Sequence, residues 1–372
     1  MLGLYLHVPF CTHLCSYCNF NRGLLDEQLK ARYVDALEAE IRRAADGAAA
    51  DTLFFGGGTP SLLEPGEVAR LIRAAAESFS LAADAEITLE ANPETVTVDR
   101  MTGFLDAGVT RVSLGVQSLH DDELARLERR HSSARVREAV YAARAAGLRN
   151  LSLDLMLWLP QQTVDRWLAT LEGVAALEPD HISLYLLELY PNAPLRDEMA
   201  RRQWSLAPDD DAADMYLGGL ARLDAAGYTQ YEISNASRAG RQSRHNLKYW
   251  QDGSWLGFGC GAHSTRGADR WRNVSGTTDY IERLSAGQPP AAGRRTRDAL
   301  ERLEDALFTG LRLVEGVDLD AVGERYGIDA WSRYAPALAP HVAAGRLTLD
   351  GRRVALTRDG MLVANDVMAV FV

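Results

Sequence analysis

Three of the four cysteines in this 372-residue chain fall within eight positions: Cys11, Cys15 and Cys18, spaced C-x3-C-x2-C. Thiolates are soft iron ligands, and three on one tight loop can hold three irons of a [4Fe-4S] cluster. Such clusters usually take four cysteines, so one iron would keep an open coordination position. An open position is what makes a metal site reactive rather than structural. Zinc is a competing reading, with His13 inside the loop as a fourth ligand, although zinc usually draws its cysteines from paired short spacings. Unrelated buried thiols are the third reading. A thiolate cluster needs a reducing compartment, and four cysteines with three in one loop do not form a disulfide framework. The cytoplasm is the expected location.

The elements that must position this loop follow from periodicity. Residues 3–8, 52–55, 86–90, 111–116, 151–157 and 181–187 are short, apolar and β-branched or aromatic. Between them run stretches of helical period, among them residues 32–45, 67–79, 136–146 and 163–177. Gly108, Gly147 and Gly227 stand where helices should end. Six strands alternating with helices imply right-handed βαβ units and a parallel sheet. Two more strands would be needed for a closed (βα)8 barrel, so an incomplete (βα)6 barrel is expected. Functional groups of parallel barrels gather at the C-terminal strand ends. Here those ends carry the cysteine loop, Gly56-Gly57-Gly58-Thr59-Pro60, Glu90-Ala91-Asn92-Pro93, Gln117-Ser118, the Asp154 strand and Glu188. Any one of them alone reads as a turn or a cap; six at the same end read as a site.

After about residue 200 the alternation stops. Residues 209–211 are three aspartates that suit the start of a helix. Residues 253–264, GSWLGFGCGAHS, predict a strand and tight turn near the barrel mouth, with Cys260 a small buried residue. The Pro/Gly-rich stretch 288–295 predicts a linker. Three helical segments then precede two short strands around Asp350-Gly351, a hairpin signal, and a last helix capped by Thr357. The fold class is therefore α/β: residues 1–200 as a partial barrel, 201–290 as an α+β extension completing the barrel mouth, and 296–372 as a small winged-helix-like module. A net charge of −11 weighs against a nucleic-acid or anionic-membrane surface. No segment approaches the ~18 apolar residues of a membrane span, which leaves peripheral association open.

The motifs also carry a family resemblance. The C-x3-C-x2-C loop resembles the radical S-adenosylmethionine (SAM) signature, in which SAM completes the fourth iron. YLHVPFC at residues 5–11, GGGTP at 56–60, LEANPE at 89–94, LGVQS at 114–118 and DLMLWLPQQT at 154–163 resemble the oxygen-independent coproporphyrinogen III oxidase family over almost the whole chain. The resemblance implies a partial TIM barrel in which Cys11, Cys15 and Cys18 bind the cluster. It implies that Tyr17 packs on the adenine and Tyr5 lies beside the methionine part of SAM. Gly57, Gly58 and Thr59 would meet the SAM amino group. Glu90, Gln117, Arg129 and Asp154 would be its polar contacts, and His263 would touch SAM through its backbone.

Three departures from the oxidase point to a heme chaperone branch. Phe20 stands where the oxidase has a fourth cysteine. Only ten residues precede Cys11, where the oxidase has a long extension. And residues 245–250 read HNLKYW, similar to the HNxxYW heme motif of that branch. By that resemblance His245 would offer an axial nitrogen, with Asn246, Tyr249 and Trp250 around the porphyrin. The other reading of the motif is a helix start with a buried Tyr-Trp pair. Trp158 departs from both branches, which usually have glycine there. The resemblance implies heme or another porphyrin as cargo, acceptor hemoproteins and an electron donor. An active radical SAM enzyme, either a coproporphyrinogen dehydrogenase or a methyltransferase relative, stands as the alternative.

Overall fold

A computed structural model describes residues 1–372. Six strands alternate with helices, as the periodicity predicts: β1 (Leu2–Val8), β2 (Ala49–Gly57), β3 (Ser80–Ala91), β4 (Arg111–Gln117), β5 (Leu151–Leu157) and β6 (His181–Leu186). The helices that follow them are α1 (Glu27–Arg43), α2 (Pro65–Ser78), α3 (Val98–Asp106), α4 (Ser133–Ala145), α5 (Val164–Ala175) and α6 (Asp209–Ala225). Thr97, Ser132 and Thr163 each accept a backbone N–H of the helix they precede, satisfying donors that have no partner inside the helix. Gly108, Gly147 and Gly227 follow α3, α4 and α6 with φ of 109°, 97° and 83°. Side-chain-bearing residues rarely adopt that conformation, so the chain turns there toward the next strand.

β1 to β6 pair in parallel in chain order. The sheet then extends beyond both edges. β7 (Thr229–Glu232) and β8 (Asn235–Ser237) add antiparallel strands beyond β6. On the other side β9 (Trp255–Phe258) pairs in parallel with β1 as a seventh parallel strand. β10 (His263–Arg266), β11 (Asp269–Asn273) and β12 (Ala291–Thr296) continue it antiparallel. The twelve strands run in the order β12-β11-β10-β9-β1-β2-β3-β4-β5-β6-β8-β7. The expectation of a linker at residues 288–295 is corrected: most of this stretch is the edge strand β12, where the prolines precede the ladder and remove no hydrogen bond from it.

The apolar core lies between the sheet's outer face and the helices, with Leu4, Leu6, Phe55, Leu89, Leu114, Leu153 and Ile182 buried there. The alternate residues line the lumen, which is polar. A separate core of Leu303, Leu307, Leu319, Leu338, Leu356 and Phe371 organises the C-terminal helices and the hairpin Leu347–Asp350/Arg353–Leu356. The third of the C-terminal helical segments spans Ala330–Ala343, is capped by Asp329 and contains Pro336 and Pro340. No helix is long and apolar enough to cross a membrane.

One buried carboxylate fastens the extended edge to the barrel. Glu40 of α1 accepts from the Gly259 N–H at 2.8 Å, Asn273 Nδ2 at 2.7 Å and the Tyr280 hydroxyl at 2.6 Å. Substituting Glu40→Ala strands three buried donors at once. We expect it to lower unfolding free energy by about 3 kcal/mol, read from the urea midpoint. A loss below about 1 kcal/mol would show that the edge is held by packing alone.

Candidate cofactor site

The cysteine loop leaves β1 at the C-terminal end of the barrel. Arg22 pins it from below, donating from Nη2 to the carbonyls of Cys15 at 2.8 Å and Cys18 at 2.6 Å. Cys11 is buried; Cys15 and Cys18 are partly open, and all three are free thiols. Cys11 Sγ accepts from Thr59 Oγ1 at 3.6 Å, and Cys15 Sγ from Arg129 Nη1 at 3.7 Å. Burial raises the Cys11 and Cys15 thiols above their ordinary pKa, so bare thiolates would be costly here and a bound cation would offset that cost. No three histidine, cysteine or carboxylate side chains converge on a point that could hold a single ion. Gly58 keeps the cradle open, since a Cβ there would lie 3.0 Å from Cys11 Sγ. Ser16 Oγ and Arg129 Nε are buried without a hydrogen-bond partner, leaving polar capacity for a bound group.

The neighbouring strand ends converge on this loop. Gly57, at φ 118°, has His7 against it, and a Cβ there would lie 2.6 Å from His7 Cε1. His7 donates from Nε2 to the Asn21 carbonyl at 2.7 Å and accepts at Nδ1 from the Tyr5 hydroxyl at 3.1 Å. Glu90 accepts from the Gly57 N–H at 3.1 Å. Asn92 donates to Thr59 Oγ1 at 3.1 Å and accepts from Arg129 Nη2 at 2.6 Å, while Arg129 also donates to the Gly115 carbonyl at 2.8 Å. Gln117, at φ 68°, brings its amide over Gly115 beside Asn92 and Arg129. Tyr17 packs partly buried over the small cluster that includes Leu127, Met156 and Leu195.

Below the mouth lies a cavity of about 200 Å³ lined by Tyr5, Glu90, Arg111, Asp154, His245 and Tyr249, among others. Asp154 accepts from the hydroxyls of Ser113, Ser152 and Ser183. Burial raises its pKa, and the three hydroxyls and Arg111 offset part of that rise. Burial, then the nearby Asp154 charge, pushes Glu90 up to about 8. Arg111, 2% exposed, makes no hydrogen bond through Nε and is the cation facing both carboxylates.

The structure brings Tyr5, Tyr17, Gly57, Gly58, Thr59, Glu90, Gln117, Arg129 and Asp154 to one mouth and lumen. It sets His263 apart on β10, where its carbonyl accepts from Trp255 Nε1 at 3.0 Å. The HNxxYW segment lies at the other end of the barrel. Helix α7 (Arg244–Trp250) closes the floor of the barrel, not its mouth. Glu86, at the N-terminal end of β3, accepts the backbone N–H groups of Arg244 and His245 at 3.1 Å each. His245 is 1% exposed, bonded to Thr52 Oγ1 and to the Tyr249 hydroxyl at 2.8 Å each. Both ring nitrogens are taken, and burial lowers its pKa to about 3. Asn246 lines the cavity, and Trp250 lies under Arg312 at 4.4 Å. The motif is thus a helix start plugging the lumen, not an open porphyrin surface. Trp158 has φ 62°, which explains why glycine suits this position; its indole donates to the Ala207 carbonyl at 2.8 Å and fills space outside the mouth.

Sequence reading missed Arg22, Asn92 and Arg111. Asn92 stood in a strand-end motif and was legible; Arg111 sits at a strand start, where nothing local marks it as lumen-facing.

The radical SAM superfamily model matches residues 5–174, and the HemN C-terminal domain model residues 298–363. "Heme chaperone HemW" of Bacillus subtilis is 33% identical over 100% of this chain and 99% of its own length. The heme chaperone HemW of Mycobacterium tuberculosis H37Rv is 39% identical over 98% of this chain and 93% of its own. The mitochondrial "Radical S-adenosyl methionine domain-containing protein 1" of Bos taurus is 43% identical over 85% and 74%. In three dimensions the chain matches the coproporphyrinogen III oxidase of Escherichia coli with a TM-score of 0.88 at 24% identity, covering 100% of this chain and 89% of that one, which speaks for the fold. By this end-to-end likeness to curated relatives, the chain belongs to the HemW heme chaperone family of radical SAM proteins.

Proposed function

We propose that this chain carries a [4Fe-4S] cluster and SAM at the barrel mouth, takes up heme as cargo and passes it to acceptor hemoproteins. The observation that carries the reading is the full-length identity to heme chaperones. Phe20 supports it: the residue two positions after Cys18 is a 63% exposed aromatic ring, where the resembled oxidase has a fourth cysteine. Cys11, Cys15 and Cys18 hold the cluster. Gly57 to Thr59 and Glu90 receive the amino group of SAM, Arg129 its carboxylate, and Gln117 and Asp154 its remaining polar groups, with Tyr5 and Tyr17 packing on its apolar parts. When bound together, cluster and SAM supply one-electron chemistry at the sulfonium. The chain's own residues hold the loop, through Arg22, and exclude water from the lumen.

Two outcomes follow. First, hemin-loaded protein transfers heme to an apo-hemoprotein, followed at the Soret band, and leaves coproporphyrinogen III unconsumed under reducing, anaerobic conditions. Turnover of coproporphyrinogen III without stable heme uptake would overturn the chaperone reading. Second, SAM affinity depends on pH through Glu90. With its pKa raised to about 8, the carboxyl must lose a proton before it can meet a cationic amino group, while an α-amino group gives up its own proton in the same range, so affinity peaks near about pH 8 and falls on either side. Equilibrium dialysis should show this maximum, with the acid limb flattened in Glu90→Gln. An unchanged pH profile in that variant would remove Glu90 from the site.

A further inference from the structure

The sheet beyond β9 carries a surface that the cofactor site leaves unused. Directly opposed residues on neighbouring strands share a face, so the registers identify its lining. Tyr5, which lines the cavity, opposes Gly257, and Gly3, which abuts His245, opposes Trp255. Trp255 therefore lies on the lumen face, and so do its partner Thr265 and, two residues away, His263. His263 opposes Arg272, and Thr265 opposes Arg270. The other face carries Trp271, packed toward the main core with Arg294 over its ring at 4.7 Å. The lumen face of the extension thus presents His263, Arg270 and Arg272. Trp255 borders it, with the Tyr249 ring edge-on at 4.7 Å.

These cations are not equivalent. Arg270 pairs with Asp305 at 3.0 Å, and Arg297 also reaches Asp305; both tie helix α8 (Ala299–Gly310) to the sheet. Arg272 is exposed and makes no ion pair or side-chain hydrogen bond, in a chain where acidic groups outnumber basic ones 51 to 40. His263 is likewise exposed, with no hydrogen-bond partner on its ring. Partial burial, with Arg272 and Arg270 close by, lowers its pKa, so the imidazole is neutral and keeps a free lone pair. Of the other histidines, His7, His131, His181 and His245 are buried, His13 faces the Glu128 carboxylate at 4.0 Å, His120 bonds the Arg166 carbonyl at 3.2 Å, and His341 lies in the C-terminal helix Ala330–Ala343, away from this sheet.

A neutral imidazole binds heme iron, a guanidinium pairs with a carboxylate, and aromatic rings accept a flat apolar face. We propose that heme docks on this lumen face, with His263 as axial ligand and a propionate on Arg272. The proposal rests on the chaperone reading and replaces His245 as the iron ligand, because His245 has no free nitrogen. It leaves SAM its own place at the strand ends.

The test is hemin titration of the full-length protein, with folding followed by far-UV circular dichroism. Wild type should show an imidazole-type Soret band. His263→Ala should weaken binding about tenfold or more, with free imidazole restoring the band. Arg272→Ala should weaken hemin about fivefold and leave hemin dimethyl ester unaffected, since the ester has no carboxylate to pair. Wild-type affinity and spectrum in His263→Ala, or loss of the imidazole band in His245→Ala instead, overturn the docking face alone. No hemin uptake by wild type overturns the chaperone reading and the docking face together.

Discussion

A polar lumen in a half-open barrel has to be closed at its floor, and the rest of this fold follows from that constraint. Strands β1 to β6 point Thr52, Glu86, Arg111, Asp154, His181 and Ser183 inward, and each is buried or lines the cavity. Exposed to bulk water these groups would not hold fixed positions; sealed without partners each would cost several kcal/mol. Helix α7 meets both demands. Its first N–H groups have no intrahelical acceptor, and the Glu86 carboxylate, buried without a cation beside it in an ion pair, takes two of them. His245 then reaches up into the lumen and spends both nitrogens on Thr52 and Tyr249. Lys248 and Arg244 anchor the helix from outside through Asp51. The C-terminal module backs it in turn, with Arg312 over Trp250 and bonded to the buried Glu232 at 3.0 Å.

With the floor fixed, the mouth can be left chemically unfinished. The groups there are held by neighbours rather than by one another's charge: Arg22 grips the loop backbone, Asn92 links Thr59 to Arg129, and the missing side chains of Gly57, Gly58 and Gly115 let His7, Cys11 and Gln117 pack directly against the strand ends. Three buried polar atoms without a partner, Ser16 Oγ, Arg22 Nε and Arg129 Nε, belong to residues in or against the cysteine loop. Buried donors and acceptors in folded proteins are normally satisfied, so these three offer contacts to a bound group. Burial, with Asp154 close by, raises Glu90 to about 8, a state that an arriving cation relieves.

The barrel was legible because its signal is local: each strand is a short apolar run, most helices have an N-terminal side-chain cap and three of the six end at a glycine, and pattern and geometry agree. The mouth was legible because strand-end position alone predicts lining. What could not be read was the lumen side of strand starts, such as Arg111, where alternation is obscured by both faces being buried. The sheet's extension was also hidden: residues 288–295 carry turn-forming prolines and glycine, and only pairing with β11 makes part of them a strand. Position misled most at HNLKYW. The residue types suit a porphyrin, but a seven-residue helix placed under the lumen turns the same side chains into a plug. Of the two readings open from sequence, the buried helix start is the one the fold adopts.

This reassignment bears on how cargo and cofactor coexist. A heme held by His245 would need α7 to leave the floor, exposing Glu86, Thr52 and Arg111 together, breaking the Lys248–Asp51 pair that ties α7 to the barrel and the Arg312–Trp250 contact that ties the C-terminal module to α7. A heme on the β10–β11 face needs none of this, because Arg272 and His263 are already solvent-facing. The lumen would stay sealed while cargo came and went along the open wall. Trp255 is the one residue shared by both regions: its ring packs on Tyr249 of the plug, and its indole nitrogen holds the His263 carbonyl. Movement of the floor would therefore reach His263 through a single side chain, and a closed floor keeps that histidine's backbone in place.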